Sequence, residues 1–572
     1  MMRRTIRTGA ALAAAVSMTV GLVGPAVADD YTTVHKNYAR PTTVLTTATP
    51  ESMGLNPVPI EAAKAQLDGY TRPQANGHPL YPGFTAVMGH DGAIVARHTG
   101  GYALLYANAT ETLPESERIP VSEDTIFDLA SVSKLFTSLA AVQLVEEGLL
   151  GLDEPVVTYL PEFGANGKED ITVKHLLTHT SALPAWLPLW SQPTYEARIA
   201  MVMNATPTHD PDKVYRYSDL NLITLGLIVE KLRGKGLDEV VAEHITVPLG
   251  MVDTGYNPAD RSRTAATEYQ AVPNRGIVWG EVHDENAWSL NGVAGHAGVF
   301  STAKDLSILS QALLNGGIYQ GNRILEPASV DLLITDFNEA FPGDAHGLGF
   351  ELDQRWYMAG LSSAKTAGHT GYTGTSLVID FNSRSFAILL TNRVHPSRSW
   401  GSVNPPRRDW AQGMALAMPV KPTQGDTAWM TGTTDATTAT LDLATRLPGT
   451  AKLSFDLFID AEDNWDPFSL ELSTDGGQTW SFLPYDLKDR DYKQALVEEP
   501  LAVSGLRRWM KAEATVPAGD NLVIRWKHTT DGLYLGRGVY VDNIKLRGSG
   551  VAISPEQDPS LLVATNWRPS SN

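Results

Sequence analysis

The sequence predicts an α+β domain, in which helices pack on an antiparallel sheet, followed by an all-β sandwich. Alternating strand patterns recur near both ends of the region before residue 421, and helical apolar periodicity fills the stretch between them. After a Thr-, Asp- and Gly-rich stretch, short alternating segments separated by turn residues follow, which is typical of a β-sandwich. With 572 residues, 43% of them hydrophobic, the chain is long enough for two cores.

The N-terminus has the pattern of a secretory signal peptide. Arg3, Arg4 and Arg7 precede an apolar stretch at 10–23, and small residues at 26–28 offer a cleavage site. We therefore expect residues 1–28 to be removed and the protein to be secreted, either extracellular or associated with the cell wall. The stretch is too short for a membrane anchor, so no membrane contact is expected after cleavage. Arg3-Arg4 leaves the export route, Sec or twin-arginine, open.

Composition excludes several kinds of function. The chain has no cysteine, so it has no disulfide, no thiolate nucleophile and no Cys-ligated metal. Its formal net charge of −19 argues against nucleic acid as a partner. We expect no cofactor and no bound metal, although His175 and His179 have an i, i+4 spacing that can hold zinc.

The first domain is predicted at 49–420, after an N-terminal linker at 29–48. Residues 84–99 have the pattern of a hairpin around Asp91-Gly92, and 376–381 with 386–391 form a second hairpin pattern. Because these hairpins lie at opposite ends of the domain with helices between them, we expect them to join in one antiparallel sheet.

The second domain is predicted as a jelly-roll-like sandwich at 441–548, after a linker at 421–440 and before a disordered tail at 549–572. The segment 473–480 resembles an Asp-box, a hairpin turn of secreted carbohydrate-active proteins. Four tryptophans are either core residues or a surface for cell-wall polysaccharide: Trp465, Trp480, Trp509 and Trp526.

The strongest chemical signal is Ser131-Val132-Ser133-Lys134 at the start of a helix with apolar periodicity. Residues i and i+3 share a helix face, so Lys134 is expected beside the Ser131 hydroxyl. The free N–H groups of the helix N-terminus would favour negative charge on a reacting carbonyl oxygen. The same Ser-x-x-Lys spacing recurs at 301–304 and 362–365, but no comparably long apolar helix follows there.

The order of motifs carries a family resemblance. After Ser131-x-x-Lys134 come Leu-Leu-Thr-His-Thr-Ser-Ala-Leu-Pro at 176–184, Tyr-Ser-Asp at 217–219 and His-Thr-Gly at 369–371. This order resembles the class C β-lactamases and penicillin-binding-protein-like serine hydrolases, over about residues 50–400. The resemblance implies attack by the Ser131 hydroxyl, proton transfer shared by Lys134 and Tyr217, and an oxyanion hole from the backbone N–H groups of Ser131 and Tyr372. It leaves open which residue is the base.

Two departures from typical β-lactamases bear on the substrate. Asp219 stands where such enzymes carry asparagine, and His369 stands where many carry lysine. Both weaken the case for β-lactam turnover, because a histidine is mostly neutral near pH 7. Asp219, His369, Thr370 and Gly371 are nevertheless expected to contact substrate.

A further stretch of sequence indicates a subgroup within this family. Residues 280–288 and 292–302 look like the subgroup that contains N-acetylmuramyl-L-alanine amidases and related esterases. His283 and His296 are expected to bind a polar substrate there, with a hydrogen-bonded structural loop as the alternative.

These features predict an exported serine hydrolase that acts through an acyl-enzyme on an amide or ester, with a peptidoglycan-derived muropeptide as the expected substrate. Three alternatives stay open. They are a DD-carboxypeptidase or β-lactamase, a small-ester esterase, and a non-catalytic protein that binds the cell wall.

Overall fold

The computed structural model describes residues 30–489, 495–555 and 558–571, so the predicted signal peptide lies outside the described residues. No helix within these ranges is both long and apolar enough to span a membrane. The α-helices there are α1 (Pro57–Tyr70), α2 (Ser133–Glu146), α3 (Val156–Tyr159), α4 (Val173–Leu177), α5 (Tyr195–Met203), α6 (Asp219–Arg233), α7 (Leu237–Val241), α8 (Val247–Leu249), α9 (Glu285–Ser289), α10 (Ala303–Leu314), α11 (Pro327–Leu333), α12 (Arg355–Met358) and α13 (Asn404–Ala417).

The first domain is built on one eight-stranded sheet. Its order is β1-β3-β2-β15-β14-β13-β12, with β4 paired to β3. Both predicted hairpins are confirmed, and β2 pairs antiparallel with β15, which joins the two ends of the domain. The strands of this domain are β1 (Thr46–Thr47), β2 (Gly83–His90), β3 (Ala93–Leu104), β4 (Ile119–Pro120), β5 (Phe127–Asp128), β6 (Gly255–Tyr256), β7 (Tyr269–Gln270), β8 (Gly276–Ile277), β9 (Val299–Ser301), β10 (Ile318–Tyr319), β11 (Asn322–Arg323), β12 (Glu351–Leu352), β13 (Thr366–Thr370), β14 (Ser376–Asp380) and β15 (Ser385–Thr391).

Helices cover both faces of this sheet. Along β15, Ile388 joins the core formed with α2, α6 and α10, whereas Leu389 joins the core formed with α1 and α13. Successive side chains of a strand point to opposite faces, so a strand buried on both faces is apolar throughout. This three-layer arrangement holds α2 and β13, the two elements that carry the Ser-x-x-Lys and His-Thr-Gly motifs, in fixed positions.

The second domain is a sandwich of two antiparallel sheets. Their orders are β22-β21-β23-β18-β25-β16-β28, with β26 paired to β25, and β20-β19-β24-β17-β27. Trp526 lies in the core between them. The strands are β16 (Ala428–Thr431), β17 (Thr438–Leu447), β18 (Ala451–Asp460), β19 (Phe468–Ser473), β20 (Ser481–Phe482), β21 (Tyr485–Lys488), β22 (Ala495–Val497), β23 (Met510–Val516), β24 (Gly519–Thr529), β25 (Gly538–Gly548), β26 (Val551–Ile553), β27 (Leu562–Thr565) and β28 (Trp567–Ser570).

Three predicted boundaries are wrong. The described part of the predicted disordered tail, residues 549–555 and 558–571, is ordered, because β27 pairs with β17, β28 pairs with β16, and Trp567 is buried. The linker at 421–440 includes the strand β16, and the linker at 29–48 includes β1 and the buried Tyr31. In each case the ordering contacts come from residues far away in the sequence, which local composition does not report.

The two domains are joined by buried charged groups. Arg507 of the sandwich donates to an Asp380 carboxylate oxygen of the first domain at 2.5 Å, and both side chains are fully buried. The Tyr31 ring lies between the guanidinium groups of Arg507 and Arg537, and its hydroxyl donates to Asp460 at 2.8 Å. A buried ion pair that lost one partner would leave an unpaired buried charge, so this contact ties the relative position of the domains to the stability of both.

Candidate active site

Ser131 lies in a 3-10 turn, Ala130–Val132, that leads directly into α2. The predicted i, i+3 geometry is present, because the Lys134 ammonium Nζ lies 2.8 Å from the Ser131 Oγ. The Ser131 side chain is half-buried and opens into a cavity, whereas Lys134 is 1% exposed. The pair therefore presents a hydroxyl to substrate and keeps the amine away from water.

Lys134 donates to three oxygen atoms. Besides Ser131 Oγ, its ammonium group reaches the backbone carbonyl of His296 at 3.1 Å and an Asp219 carboxylate oxygen at 2.8 Å. Burial lowers the pKa of Lys134, but Asp219 and Tyr217 outweigh it and hold the pKa above its ordinary value. Together with a hydrogen bond to Tyr217, these contacts make Lys134 a well-paired cation.

Tyr217 stands immediately before α6 and close to this pair. The Lys134 ammonium lies 4.8 Å from the centre of the Tyr217 ring. Burial raises the pKa of Tyr217 to about 12, although Lys134 and hydrogen bonds with Lys134 and Ser131 oppose the rise. The His179 ring packs against Tyr217 at 4.6 Å, and its Nδ1 accepts from the backbone N–H of Ser218 at 3.1 Å. These contacts fix the phenol beside the Ser131 hydroxyl.

The strand β13 and the turn after it approach the Ser131 turn closely. A side chain at Gly371 would meet the Leu129 carbonyl oxygen at 2.2 Å, so only glycine fits there. Thr375 Oγ1 donates to that same carbonyl oxygen at 2.9 Å, and Thr373 Oγ1 donates to the Asp128 carbonyl oxygen at 2.7 Å. These hydrogen bonds hold the turn that contains Tyr372 against the Ser131 turn, and Tyr372 lines the same cavity as Ser131.

His369 lines the same cavity as a neutral imidazole. Its Nδ1 donates to the Thr370 carbonyl oxygen at 2.8 Å, and its Nε2 has no partner. Burial, reinforced by the charge of Lys134, lowers the pKa of His369 to about 3. His369 therefore places a neutral side chain at this wall of the cavity and not the fixed positive charge that a lysine would provide.

The side chains of His283 and His296, which the sequence predicts to bind substrate, are both engaged in buried ion pairs. His283 is buried and pairs with Glu268 at 2.9 Å, and His296 is buried and pairs with Asp284 at 2.8 Å. Neither side chain lines the cavity of Ser131. The structural-loop alternative describes them better, since His296 contributes its backbone carbonyl to Lys134. A side chain at Gly295 would meet the Leu222 carbonyl oxygen at 1.9 Å, so glycine lets this loop approach α6.

The structure adds cavity residues that the sequence analysis missed. The cavity of about 600 Å³ around Ser131 is also lined by Tyr215, Asp344, Glu351, Trp356, Arg398 and Arg407. Glu351 lies on the edge strand β12, and its carboxylate lies beside the Tyr357 hydroxyl. Burial raises the pKa of Glu351 to about 7. These residues come from segments without a local motif, so only long-range pairing reveals them.

The possible metal ligands near Ser131 are already paired with other side chains. Asp219, Asp284 and His296 have ligand atoms within 4.8 Å of one another. Asp219, however, already pairs with Lys134, and Asp284 pairs with His296. His175 pairs with Asp212 at 2.9 Å, away from this group. These pairings make the group an ion-pair network that supports Lys134.

The comparisons with known proteins match this geometry. The sequence profile of the family described as beta-lactamase matches residues 74–411. The chain belongs to the β-lactamase family. A Salmonella typhimurium relative with the provisional description D-alanyl-D-alanine carboxypeptidase is 32% identical over 398 residues, covering 63% of this chain and 89% of the relative. A Salmonella agona relative with the same description has the same identity and coverage.

Solved structures similar to this β-lactamase-family chain include a penicillin-binding protein homolog from Caulobacter crescentus. It is 22% identical, with a TM-score of 0.49, and the match covers 62% of this chain and 97% of that one. A D-amino acid amidase from Ochrobactrum anthropi is 22% identical, with a TM-score of 0.47 and coverage of 62% and 99%. The family membership confirms the resemblance predicted from the order of motifs and makes this chain a serine hydrolase of the β-lactamase and penicillin-binding-protein superfamily.

Proposed function

We propose that this protein is an exported hydrolase that cleaves an amide or ester bond of a peptidoglycan-derived muropeptide through an acyl-enzyme. The observation that carries the proposal is the 2.8 Å contact between Ser131 Oγ and Lys134 Nζ at the wall of an open cavity. The provisional description of the Salmonella relatives supports a peptidoglycan peptide as the substrate class. Export and a cell-wall or extracellular location rest on the N-terminal pattern at 1–28.

The proposed reaction has two acyl-transfer steps. Ser131 Oγ attacks the substrate carbonyl carbon, and its proton passes to the Tyr217 and Lys134 pair. The backbone N–H groups of Ser131 and Tyr372 bind the oxygen that becomes negative. The proton then goes to the leaving amine or alcohol, which departs and leaves the acyl group on Ser131. Attack by water and release of the acid regenerate the serine.

The cavity favours a substrate whose cleaved amide bond lies far from a free carboxylate group. The lactyl amide that joins muramic acid to its peptide is a bond of this kind. His369 is neutral, with its pKa lowered to about 3 by burial. The three lining arginines all donate within the protein. Arg398 pairs with Glu268 and Glu285, whereas Arg393 and Arg407 donate to backbone carbonyl oxygens. A terminal D-alanine carboxylate would therefore meet no arginine without protein partners among the described residues of this cavity.

DD-carboxypeptidase activity is the second candidate function. The single observation in its favour is the provisional description of the relatives that align with 63% of this chain. Soluble muropeptides distinguish the two reactions, because lactyl-amide cleavage separates sugar from peptide, whereas carboxypeptidase activity releases D-alanine.

The test incubates the protein without residues 1–28, as wild type and Ser131→Ala, with defined muropeptides, and products are identified by mass spectrometry. We expect free peptide and free muramic-acid sugar from the wild type only. Ser131-dependent release of D-alanine would replace the amidase proposal by the carboxypeptidase. If neither product forms but small acyl esters are cleaved, the assignment of a muropeptide substrate is wrong, and the protein is a small-ester esterase.

Asp219→Asn is expected to move the pH dependence of catalysis toward acid. Asp219 raises the pKa of both Lys134 and Tyr217, so its neutral replacement lowers both pKa values. Whichever group accepts the Ser131 proton then loses its own proton at a lower pH. The rise of kcat/KM with pH should shift down by roughly one to two pH units, a typical effect of one nearby charge.

The matched control for this measurement is Asp212→Asn, which makes the same change at the His175 pair outside the cavity. Its pH profile should follow that of the wild type. An unshifted profile in Asp219→Asn would show that the carboxylate does not control the proton acceptor.

A further inference from the structure

We propose that the sandwich domain binds one calcium ion through Glu462, Asp466 and Asp531. These residues lie on two loops at one end of the sandwich, between β18 and β19 and between β24 and β25. Each offers a carboxylate oxygen, and these oxygens lie within 4.8 Å of one another. The site is separate from the cavity of Ser131, so this proposal does not depend on the proposed hydrolase function.

Buried oxygen atoms without partners indicate a missing ligand. Asp466 is 1% exposed, and its Oδ2 has no hydrogen-bond partner, while its Oδ1 accepts from the backbone N–H of Asp531 at 2.9 Å. Glu462 Oε2 is also inaccessible and without a partner. Buried polar atoms are nearly always satisfied, so two unpartnered carboxylate oxygens in one cluster point to a bound cation.

No basic side chain of the described residues neutralises this cluster. The nearby Arg355 is committed to Asp460, Ser504 and the Leu535 carbonyl oxygen. Glu462, Asp466 and Asp531 bring three carboxylate groups within 4.8 Å of one another. Mutual repulsion of this kind is what a bound divalent cation relieves.

The chemistry of the donor atoms favours Ca²⁺ over Mg²⁺ and Zn²⁺. Ca²⁺ binds carboxylate oxygens in a flexible geometry at about 2.3–2.6 Å, and oxygens that lie within 4.8 Å of one another are close enough to share one such ion. Mg²⁺ requires shorter distances of about 2.1 Å in a strict octahedron, and Zn²⁺ prefers nitrogen and sulfur ligands. Glu462 and Asp531 are half-buried, which leaves solvent access for the ion and its remaining water ligands.

A cation here would also act on the contact between the domains. The loop that carries Asp531 continues to Leu535 and Gly536, whose carbonyl oxygens accept from Arg355 at 3.2 Å and from Gln412 at 2.9 Å in the first domain. Arg355 lies between Gln354 and Trp356, which line the cavity of Ser131. Bound calcium would therefore order a loop of the sandwich domain that contacts residues next to one wall of the Ser131 cavity.

The first test is calcium titration of the protein after treatment with EDTA and removal of the chelator, followed by isothermal calorimetry. We expect one saturable site with a dissociation constant below about 1 mM, the range of extracellular calcium modules. Glu462→Gln should weaken the affinity at least about tenfold, since it removes one of three charged ligands. The control Asp520→Asn changes an exposed aspartate paired only with Arg446 and should bind as the wild type does.

Thermal unfolding distinguishes a calcium ligand from a residue with a purely structural role, because only a ligand makes the effect of its substitution depend on calcium. In EDTA, Glu462→Gln should melt at or above the temperature of the wild type, because one repelling charge is removed. In calcium, the order should reverse, because the wild type alone gains the full stabilisation by the ion. Asp466→Asn, which keeps the size of the side chain, should show the same reversal.

Two results would overturn the proposal. One is the absence of saturable calcium binding up to about 10 mM, well above the range of extracellular sites. The other is unchanged calcium affinity in both Glu462→Gln and Asp466→Asn, which would place any bound ion elsewhere on the molecule.

Discussion

Ser131→Ala is expected to abolish turnover, with a loss of at least about 10⁴-fold in kcat, the scale seen when a serine nucleophile is removed. The hydroxyl is the only atom of this side chain that can form the acyl-enzyme, and Lys134 lies 2.8 Å from it. Alanine fits the 3-10 turn without strain, so the fold should persist. Intact-mass spectrometry provides the direct measurement, since the wild type should gain the mass of an acyl group from a slow substrate and the variant should not.

The chain offers a matched control for this experiment. Ser362 and Lys365 have the same Ser-x-x-Lys spacing, but the Ser362 hydroxyl donates to Asp353 at 2.6 Å and is fully buried. Ser362→Ala should therefore keep both turnover and the acyl adduct, provided that it folds. Full activity in Ser131→Ala would show that the nucleophile has been assigned to the wrong serine.

The fold was predictable from the sequence where structure depends on local pattern. The hairpin around Asp91-Gly92 and the helix after Ser131 follow from periodicity and turn residues within about 15 positions. The strands β27 and β28 were not predictable in this way, because they are stabilised by β17 and β16, more than a hundred residues earlier. Edge pairing of this kind is decided by tertiary contact and not by composition.

The active site, like the fold, was predictable only where it depends on local sequence pattern. The approach of Lys134 to Ser131 follows from helix geometry, since three residues make nearly one turn. Glu351 reaches the cavity only because β12 pairs with β13, a contact that no short motif encodes. The motif around His283 has two physical interpretations, because a histidine near acidic residues can form a buried ion pair or contact a substrate. In this structure His283 forms the buried ion pair, with Glu268.

The Lys134 contacts bear on the identity of the proton acceptor. Asp219 and Tyr217 hold the pKa of Lys134 above its ordinary value, so Lys134 is a cation at neutral pH and has no lone pair to accept the Ser131 proton. Its charge lowers the pKa of Tyr217 against the effect of burial. We infer that Lys134 mainly stabilises a Tyr217 phenolate, which takes the proton during attack.

Lys134→Met is accordingly expected to reduce kcat/KM at neutral pH by about 10³-fold, within the range for proton-transfer groups. The sign of the pH effect follows from the charges: without the cation, the pKa of Tyr217 rises further above about 12, so the phenolate is rarer at every working pH. The residual rate should therefore climb with pH to more alkaline values than in the wild type. Measurement of kcat/KM across pH tests this directly. A residual rate that does not depend on pH would instead identify Lys134 as the base, because its removal would have eliminated the titrating group itself.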